Sequence, residues 1–486
     1  MDKSSASNAS FLCAVVATSF GFAVVQLDVT IVNVALPAIA NELQAQVSDL
    51  QWVVDAYTLA FAVLLLSAGV LGDRFGSRRA YVAGFAIFAL ASLLCGVAPQ
   101  ASALIAARAA QGIGAALLVP SSLALLSHAC AHDDALRARA VGWWTAAGGV
   151  SIAAGPVVGA LLLDAFGWRS IFFVNVPVCA LGIYLTLRDV QASAPPTASR
   201  TLDPLAQVLA IVALTGLTAA IIESGHAAPW RTVTACGFAA VVAGALFAYT
   251  QGRGAAPVLP PSLFRLPSFT AAVAFGVLVN LTYYGVIFVL SLYLQQARGY
   301  SPLAAGLAYI PLTATFIVSN IASGRITARL GPRAPMIAGA VTGMAGFVLL
   351  GTLGDDSGYL AMLPAFVLIP AGMGLAVPAM TTAVLASVGR AWSGTASGVL
   401  NAARQMGGTI GVAAFGALLN GGHGHERIAR AVELSALCSA ALLLVAAVVA
   451  WVGIANARSA GILRPRRSPR PPGARPSRPR GVAEGD

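Results

Sequence analysis

Residues 27–37 read LDVTIVNVALP (Leu27–Pro37) and close an apolar run that starts near residue 11. Asp28 interrupts that run. A carboxylate at bilayer depth costs roughly 2.5–3.5 kcal/mol on insertion scales, so such a residue is paired, lines a cavity, or does both. The partner expected is Arg108, which breaks the apolar stretch Ala101–Leu126. Around this pair the rest of the chain reads as scaffold and gates.

The 486 residues are 58% hydrophobic and 10% charged, against about 25% charged in a soluble domain. Apolar runs of about 20 residues recur along the whole length, each long enough to cross a bilayer. No alternating strand pattern appears, so helices rather than a barrel satisfy the backbone. The fold class expected is an all-α polytopic membrane protein. Fourteen spans are placed at 12–34, 51–71, 81–98, 102–126, 140–163, 170–187, 204–223, 232–250, 269–295, 303–323, 335–353, 361–385, 396–419 and 434–456. The net charge of +11 does not point to nucleic acid, because 22 of the 29 Lys and Arg fall in alternate short loops and the tail. The opposite loops hold Arg169, Arg231, Arg298, Arg427 and Arg430, and Arg108 and Arg404 lie within spans. This asymmetry places both termini in the cytoplasm. The N-terminus, MDKSSASNAS, lacks a basic leader region, so the first apolar run is retained as a helix. The cysteines sit mostly inside apolar runs without metal spacing and read as small core residues.

An internal repeat is visible. GDRFGSRR (Gly72–Arg79) is echoed by TARLGPR (Thr327–Arg333), QGIGAALLVP (Gln111–Pro120) by AGMGLAVP (Ala371–Pro378), and GPVVGALL (Gly155–Leu162) by AAFGALL (Ala413–Leu419). The offsets stay at about 260 residues, the mark of two related halves. The expected organisation is a cytoplasmic N-terminus at 1–11, a six-helix bundle at 12–187 and two inserted helices at 204–250. A second six-helix bundle follows at 269–456, then an Arg- and Pro-rich tail at 457–486. The tail cannot pack a core and is expected to be disordered. It either favours anionic lipid or simply fixes topology.

Depth along each span can be counted. Asp28 lies six residues before the outer end of span 1, and Arg108 six residues into span 4, so both sit about 9 Å below the outer face of the apolar zone. Asp55 in span 2 is about 6 Å down by the same rule. Three charges in one layer suggest pairing across a water-filled cavity; capping or snorkelling at the interface is the plainer reading. A carboxylate beside an arginine in a site that alternately hydrates and dries can take up and release a proton.

In GVLGDRFGSRR (Gly69–Arg79), Gly72 and Gly76 allow a tight turn. Asp73, Arg74 and Arg78 form either an ionic latch or a solvated basic turn. Gly148, Gly149, Gly155, Pro156 and Gly159 in span 5 provide a hinge or a close-packed seam. Asn33, Asp55, Gln111, Tyr283, Tyr284 and Arg404 are candidates to line a substrate cavity. For Arg404 anion binding, carbonyl capping and snorkelling all stay open, and no acid of the second half is an obvious partner. His128 with His132, and His423 with His425, read as polar helix ends and loop residues rather than metal ligands. No metal site and no cofactor are expected. The one lysine, Lys3, leaves no Walker A loop. HExxH is absent, and no paired base and nucleophile share a depth, which argues against a membrane-embedded enzyme.

LDVTIVNVALP, GVLGDRFGSRR, RAAQGIGAALLVP (Arg108–Pro120), the Gly155–Pro156 segment and NAARQMGGTIG (Asn401–Gly411) together resemble the major facilitator superfamily, in the order found in its fourteen-span drug:proton antiporters of the EmrB/QacA type. The resemblance implies the major facilitator fold in a bacterial inner membrane. It implies export of lipophilic, often cationic, toxic small molecules in exchange for protons, with proton coupling at Asp28 and Arg108 and gating at Asp73, Arg74 and Arg78. A dedicated exporter of one antibiotic or metabolite, or a proton-coupled importer, shares this pattern. The partners implied are drug-like substrates, protons and membrane lipids; whether a periplasmic adaptor extends the path is left open. Two departures matter. Ala328 stands where the first half has Asp73, and span 10 has no acid, which weakens any case for dications. The topology has a direct check: a fluorescent reporter fused after Asp486 is expected to fluoresce and alkaline phosphatase fused there to be inactive, whereas active phosphatase would invert the arrangement.

Overall fold

Hydrocarbon offers the backbone no hydrogen-bond partner, so apolar runs of this length close their own bonds as helices. The computed structural model describes residues 3–130, 134–190, 203–225, 229–254, 259–353, 358–388, 392–419 and 425–454. The expected tail at 457–486, and Arg390, His132 and His423, lie outside the described residues. The helices are α1 (Lys3–Leu43), α2 (Val47–Phe75), α3 (Ser77–Gly96), α4 (Ala101–Ala129), α5 (Asp134–Phe166), α6 (Ser170–Phe173), α7 (Asn175–Asp189), α8 (Pro204–Ser224) and α9 (Trp230–Arg253). They continue with α10 (Pro267–Leu292), α11 (Pro302–Ala308), α12 (Ile310–Leu330), α13 (Arg333–Gly351), α14 (Tyr359–Ser387), α15 (Ser393–Ala417) and α16 (His425–Gly453).

Among the described residues, twelve helices are long and apolar enough to cross a membrane, or thirteen when α5 is taken as one span bent by 43° between Ala140–Ile152 and Ala154–Phe166. The expected fourteen is not reached on these grounds. α15 has the length, but Asn401, Arg404, Gln405 and its glycines dilute its apolar character. Expected spans 6 and 10 each carry a one-residue break, between α6 and α7 and between α11 and α12, and each still counts as one of the twelve.

The packing pattern repeats. α1 packs on α5, α2 and α3 on α4, and α3 on α7; correspondingly α10 packs on α15, α12 and α13 on α14, and α13 on α16. The turns repeat as well. Gly76, between α2 and α3, has φ 91°, and Gly331, between α12 and α13, has φ 77°, a region where a Cβ is strained. Two residues after each glycine, an arginine reaches across its own bundle: Arg78 Nη2 donates to Leu187 O at 2.5 Å and Arg333 Nη2 to Trp451 O at 2.5 Å. The RFG and RLG echoes thus describe one turn built twice. Gly72, by contrast, is not forced: an added Cβ would meet only ordinary contacts, 3.4 Å from Ser121 Oγ.

α8 and α9 form a hairpin that packs through α8 against α2 and α15. Gln207 holds it by donating to Val63 O at 3.0 Å and accepting from the Ser67 hydroxyl. Between the two bundles, Gln51 Nε2 donates to Ala413 O at 2.8 Å, Ser291 Oγ to Asn33 O at 2.5 Å, and Gln295 Nε2 to Val34 O at 3.0 Å. These bonds close the end of the molecule that carries the α1–α2 and α10–α11 turns.

The glycines of α5 form a seam with α1. A Cβ on Gly148 would stand 2.0 Å from Phe22, one on Gly155 2.0 Å from Thr30 Oγ1, and one on Gly159 2.8 Å from Ile31. Pro156 has no N–H, so the carbonyl of Ile152 loses its helical donor. Thr30 Oγ1 donates to that carbonyl at 2.9 Å. Gly149 points elsewhere, with Phe316 at 3.9 Å from an added Cβ, and is not part of the seam. Gly155→Ala is therefore expected to destabilise the protein by about 1–3 kcal/mol and Gly149→Ala to be neutral or stabilising, read from thermal unfolding in detergent. Equal tolerance of the two would remove the seam.

Candidate functional site

Asp28 of α1 is fully buried, as its position in an apolar run requires. Arg108 Nη1 of α4 donates to Asp28 Oδ2. Gln111, one turn further along α4, donates to Oδ1 at 2.9 Å, and Asn175, first residue of α7, donates to Oδ1 at 3.0 Å. The guanidinium is fixed in turn: Nε donates to Val53 O at 3.0 Å and Nη1 to Gln111 Oε1 at 2.7 Å. Its carbon lies 4.3 Å from the centre of the Tyr57 ring, where a desolvated cation–π contact is worth about 2 kcal/mol. Nη2 has no hydrogen-bond partner, so the ring face is what it has instead. Ser92 accepts from Gln111 at 2.9 Å. Four helices, α1, α3, α4 and α7, thus converge on one carboxylate, with α2 contributing the Val53 carbonyl and the Tyr57 ring.

Asp55, expected in the same layer, does not join the pair. It is fully buried, and neither carboxylate oxygen has a hydrogen-bond partner. It shares the α2 stripe of Gln51 and Thr58, which bond to α15 at Ala413 and Thr409. Counting along a helix gives a height and carries no information about which way a side chain faces.

Beside the ion pair lies a narrow cleft between the bundles, lined by Val29, Asn33, Val54, Thr58, Tyr284, Gln405, Gly408 and Val412. Its free space of about 10 Å³ holds roughly one water. Of the residues expected to line a cavity, Asn33 and Tyr284 do so. Gln111 serves the ion pair instead. Tyr283 is buried and packs edge-on against Tyr284 at 5.5 Å. Asp55 is not in the lining. Arg404 sits one turn from Gly408 on α15; its stem passes Gly276 of α10, where an added Cβ would lie 3.3 Å from Arg404 Cγ.

At the α2–α3 turn, Arg74 lies 5.6 Å from the Phe75 ring centre, and Arg78 is bonded within its own bundle. Asp73 also carries an interaction. Among the described residues, no His, Cys, Asp and Glu group could hold a metal ion. Sequence reasoning missed Asn175, Ser92 and Thr30. Asn175 had a signal, a lone amide in an apolar span; Thr30 had a weaker one, the carbonyl freed by Pro156. Ser92 had none.

Comparison with known proteins follows the same lines. The family model of the Major Facilitator Superfamily matches residues 18–412. The chain is 40% identical over 410 residues to the methylenomycin A resistance protein of Streptomyces coelicolor, covering 84% of this chain and 85% of that one. It is 37% identical over 414 residues to the multidrug resistance protein Stp of Mycobacterium tuberculosis, covering 85% and 76%. Among solved structures it resembles the xylose transporter XylE from E. coli in a partially occluded inward-open conformation, with a TM-score of 0.64 at 13% identity over 93% of this chain and 99% of that one.

Removing Arg108 alone strands a buried carboxylate, which typically costs 3–5 kcal/mol. Arg108→Ala is therefore expected to lower the unfolding temperature in detergent strongly, and Asp28→Asn in the Arg108→Ala background to restore part of the loss. No restoration would mean the two residues are uncoupled.

Proposed function

The chain belongs to the Major Facilitator Superfamily, and from that premise we propose that it is a proton-coupled multidrug efflux transporter working by alternating access. Membership makes it a transporter. The observation that carries the finer reading is Asp28, held by Arg108, Gln111 and Asn175 one residue before the cleft-lining Val29. Relatives named for multidrug and antibiotic resistance support export of drug-like compounds. A dedicated exporter of one compound is the second reading, favoured by the relative named for resistance to methylenomycin A alone.

In this reading the fourteen spans form bundles at 12–187 and 269–456 with two inserted helices at 204–250, as in the EmrB/QacA type. α15 and the bent α5 complete the count. The positive-inside asymmetry supports an inner membrane location with cytoplasmic termini. Asp28 exchanges a proton as its surroundings alternately hydrate and dry, and Arg108 sets the balance. Asp73, Arg74, Arg78, Gly72 and Gly76 gate the cytoplasmic end. The α5 seam of Gly148, Gly155, Pro156 and Gly159 lets α1 and α5 move as one, with Gly149 facing the second bundle. A periplasmic adaptor is an optional partner.

Asp28→Asn keeps the hydrogen-bonding size and removes the titrating proton. The expected result is a folded protein that loses dye efflux driven by a proton gradient in proteoliposomes. The wild-type signal should vanish with an uncoupler. Efflux at the wild-type rate in the variant would take Asp28 out of the coupling role.

A further inference from the structure

Pro37 sits inside α1, at the close of the LDVTIVNVALP stretch. A proline has no N–H, so the carbonyl four residues back, that of Asn33, has no helical donor. Asn33 is buried, and a buried acceptor needs a partner. It finds one on the other bundle, where Ser291 Oγ of α10 donates to Asn33 O at 2.5 Å. A serine in a helix ordinarily bonds its own preceding turn, as Thr282 of the same helix does with Val279 O at 2.9 Å. Ser291 reaches across the bundles instead. One residue further along α1, Val34 O accepts from Gln295 Nε2 at 3.0 Å. Gln295 lies in a π turn, Tyr293–Ala297, that follows α10 directly, and such turns are rare and gather at functional sites.

A second proline shows what is particular about the first. Pro156 frees the Ile152 carbonyl, and Thr30 caps it. α1 and α5 belong to one bundle, so that bond can stay closed throughout a transport cycle. The bond from Ser291 to Asn33 joins α1 to α10, across the line along which alternating access parts the bundles. When that end opens, water reaches the Asn33 carbonyl; when it shuts, only protein can satisfy it.

Resting on the alternating-access reading above, we propose that Pro37 creates an outer latch: it bares the Asn33 carbonyl of α1, and Ser291 of α10 must occupy that carbonyl for the outer end to shut. Gln295 adds a weaker bond, because Ala38 has an N–H to give Val34 O. Asp28 lies five residues from Asn33 on the same helix, so a movement of α1 at the charge site reaches the latch.

The test is hydrogen–deuterium exchange of the full-length protein in detergent, without a gradient. Amide exchange follows the population of opened states. The outer reporters are residues 47–54 of α2 and 410–417 of α15, which meet at Gln51 and Ala413 and contain none of the substituted positions. The controls are residues 116–124 of α4 and 376–384 of α14, in the halves of those helices remote from the outer end. Ser291→Ala leaves the carbonyl bare only when the end is shut, so outer exchange should quicken about tenfold, the size of an unsatisfied buried acceptor, while the controls hold. Pro37→Ala gives the carbonyl an N–H again, and in that background Ser291→Ala should change outer exchange by less than about twofold. Gln295→Ala should have one and the same small effect in both backgrounds. Pro37→Val is closer in volume, supplies the same N–H and should repeat the cycle. Outer exchange untouched by Ser291→Ala, an equal effect of Ser291→Ala in both backgrounds, or quickening of outer reporters and controls together overturns the latch. Dye efflux driven by a proton gradient tests the transporter reading by itself; its absence would sink that reading and leave the exchange results standing.

Discussion

A carboxylate and a guanidinium, both cut off from water, hold the first bundle together. Neither tolerates burial alone, and their attraction repays desolvation only when the remaining donors and acceptors are satisfied. That demand shapes five helices. Gln111 and Asn175 complete Asp28; the Val53 carbonyl and the Tyr57 ring complete Arg108. Tyr57 is itself pinned, donating to Val25 O at 3.1 Å. The pair therefore fixes α2, α4 and α7 around α1 more tightly than apolar packing alone would, since lipid tails compete for apolar contact but not for a buried charge.

The second organising feature is close backbone approach. α1 and α5 touch through Gly155 and Gly159, and α10 and α15 through Gly407 and Gly411, whose added Cβ atoms would lie 2.3 Å from Val277 O and 2.1 Å from Leu281 O. α5 and α11 meet across the bundles at Gly306, 2.2 Å from the Ala160 side chain on the same test. Small residues do in a membrane what apolar burial does in water: they let helices come near enough for dispersion and weak polar contacts to count. Both bundles use this device at equivalent helix pairs, which is why the sequence repeat, faint as letters, becomes plain as packing.

What could be read from the chain followed from contrast. Asp28 and Arg108 stood out because each broke an apolar run, and counting helical rise placed them at one level. Gln111, three residues beyond Arg108 and so on the same face, was assigned to a cavity when it was available to the pair. Asp55 shows the limit of depth: a residue number gives height along a helix, and the facing direction depends on neighbours that lie far off in sequence. Ser92 was unreadable because a small hydroxyl in a helix usually bonds its own backbone. The span count was legible only as far as apolarity runs. α15 falls outside the apolar test because a polar and glycine-rich stripe runs along the face it turns to α2 and α10.

LDVTIVNVALP gains its meaning from the way a helix turns by about 100° per residue. Within six positions α1 presents three working faces. Asp28 turns to Arg108 and Asn175. Val29 and Asn33 turn to the cleft and the second bundle, Asn33 accepting there from Ser291. Thr30 and Ile31 turn to the glycine seam of α5, Thr30 capping the carbonyl that Pro156 leaves open. A rigid helix cannot adjust one of these faces without moving the other two. A rotation of α1 that loosens the Asp28 network must also reshape the cleft wall and shift the α5 seam. Charge site and cleft therefore need no wire of side chains between them: they are adjacent letters on one rod.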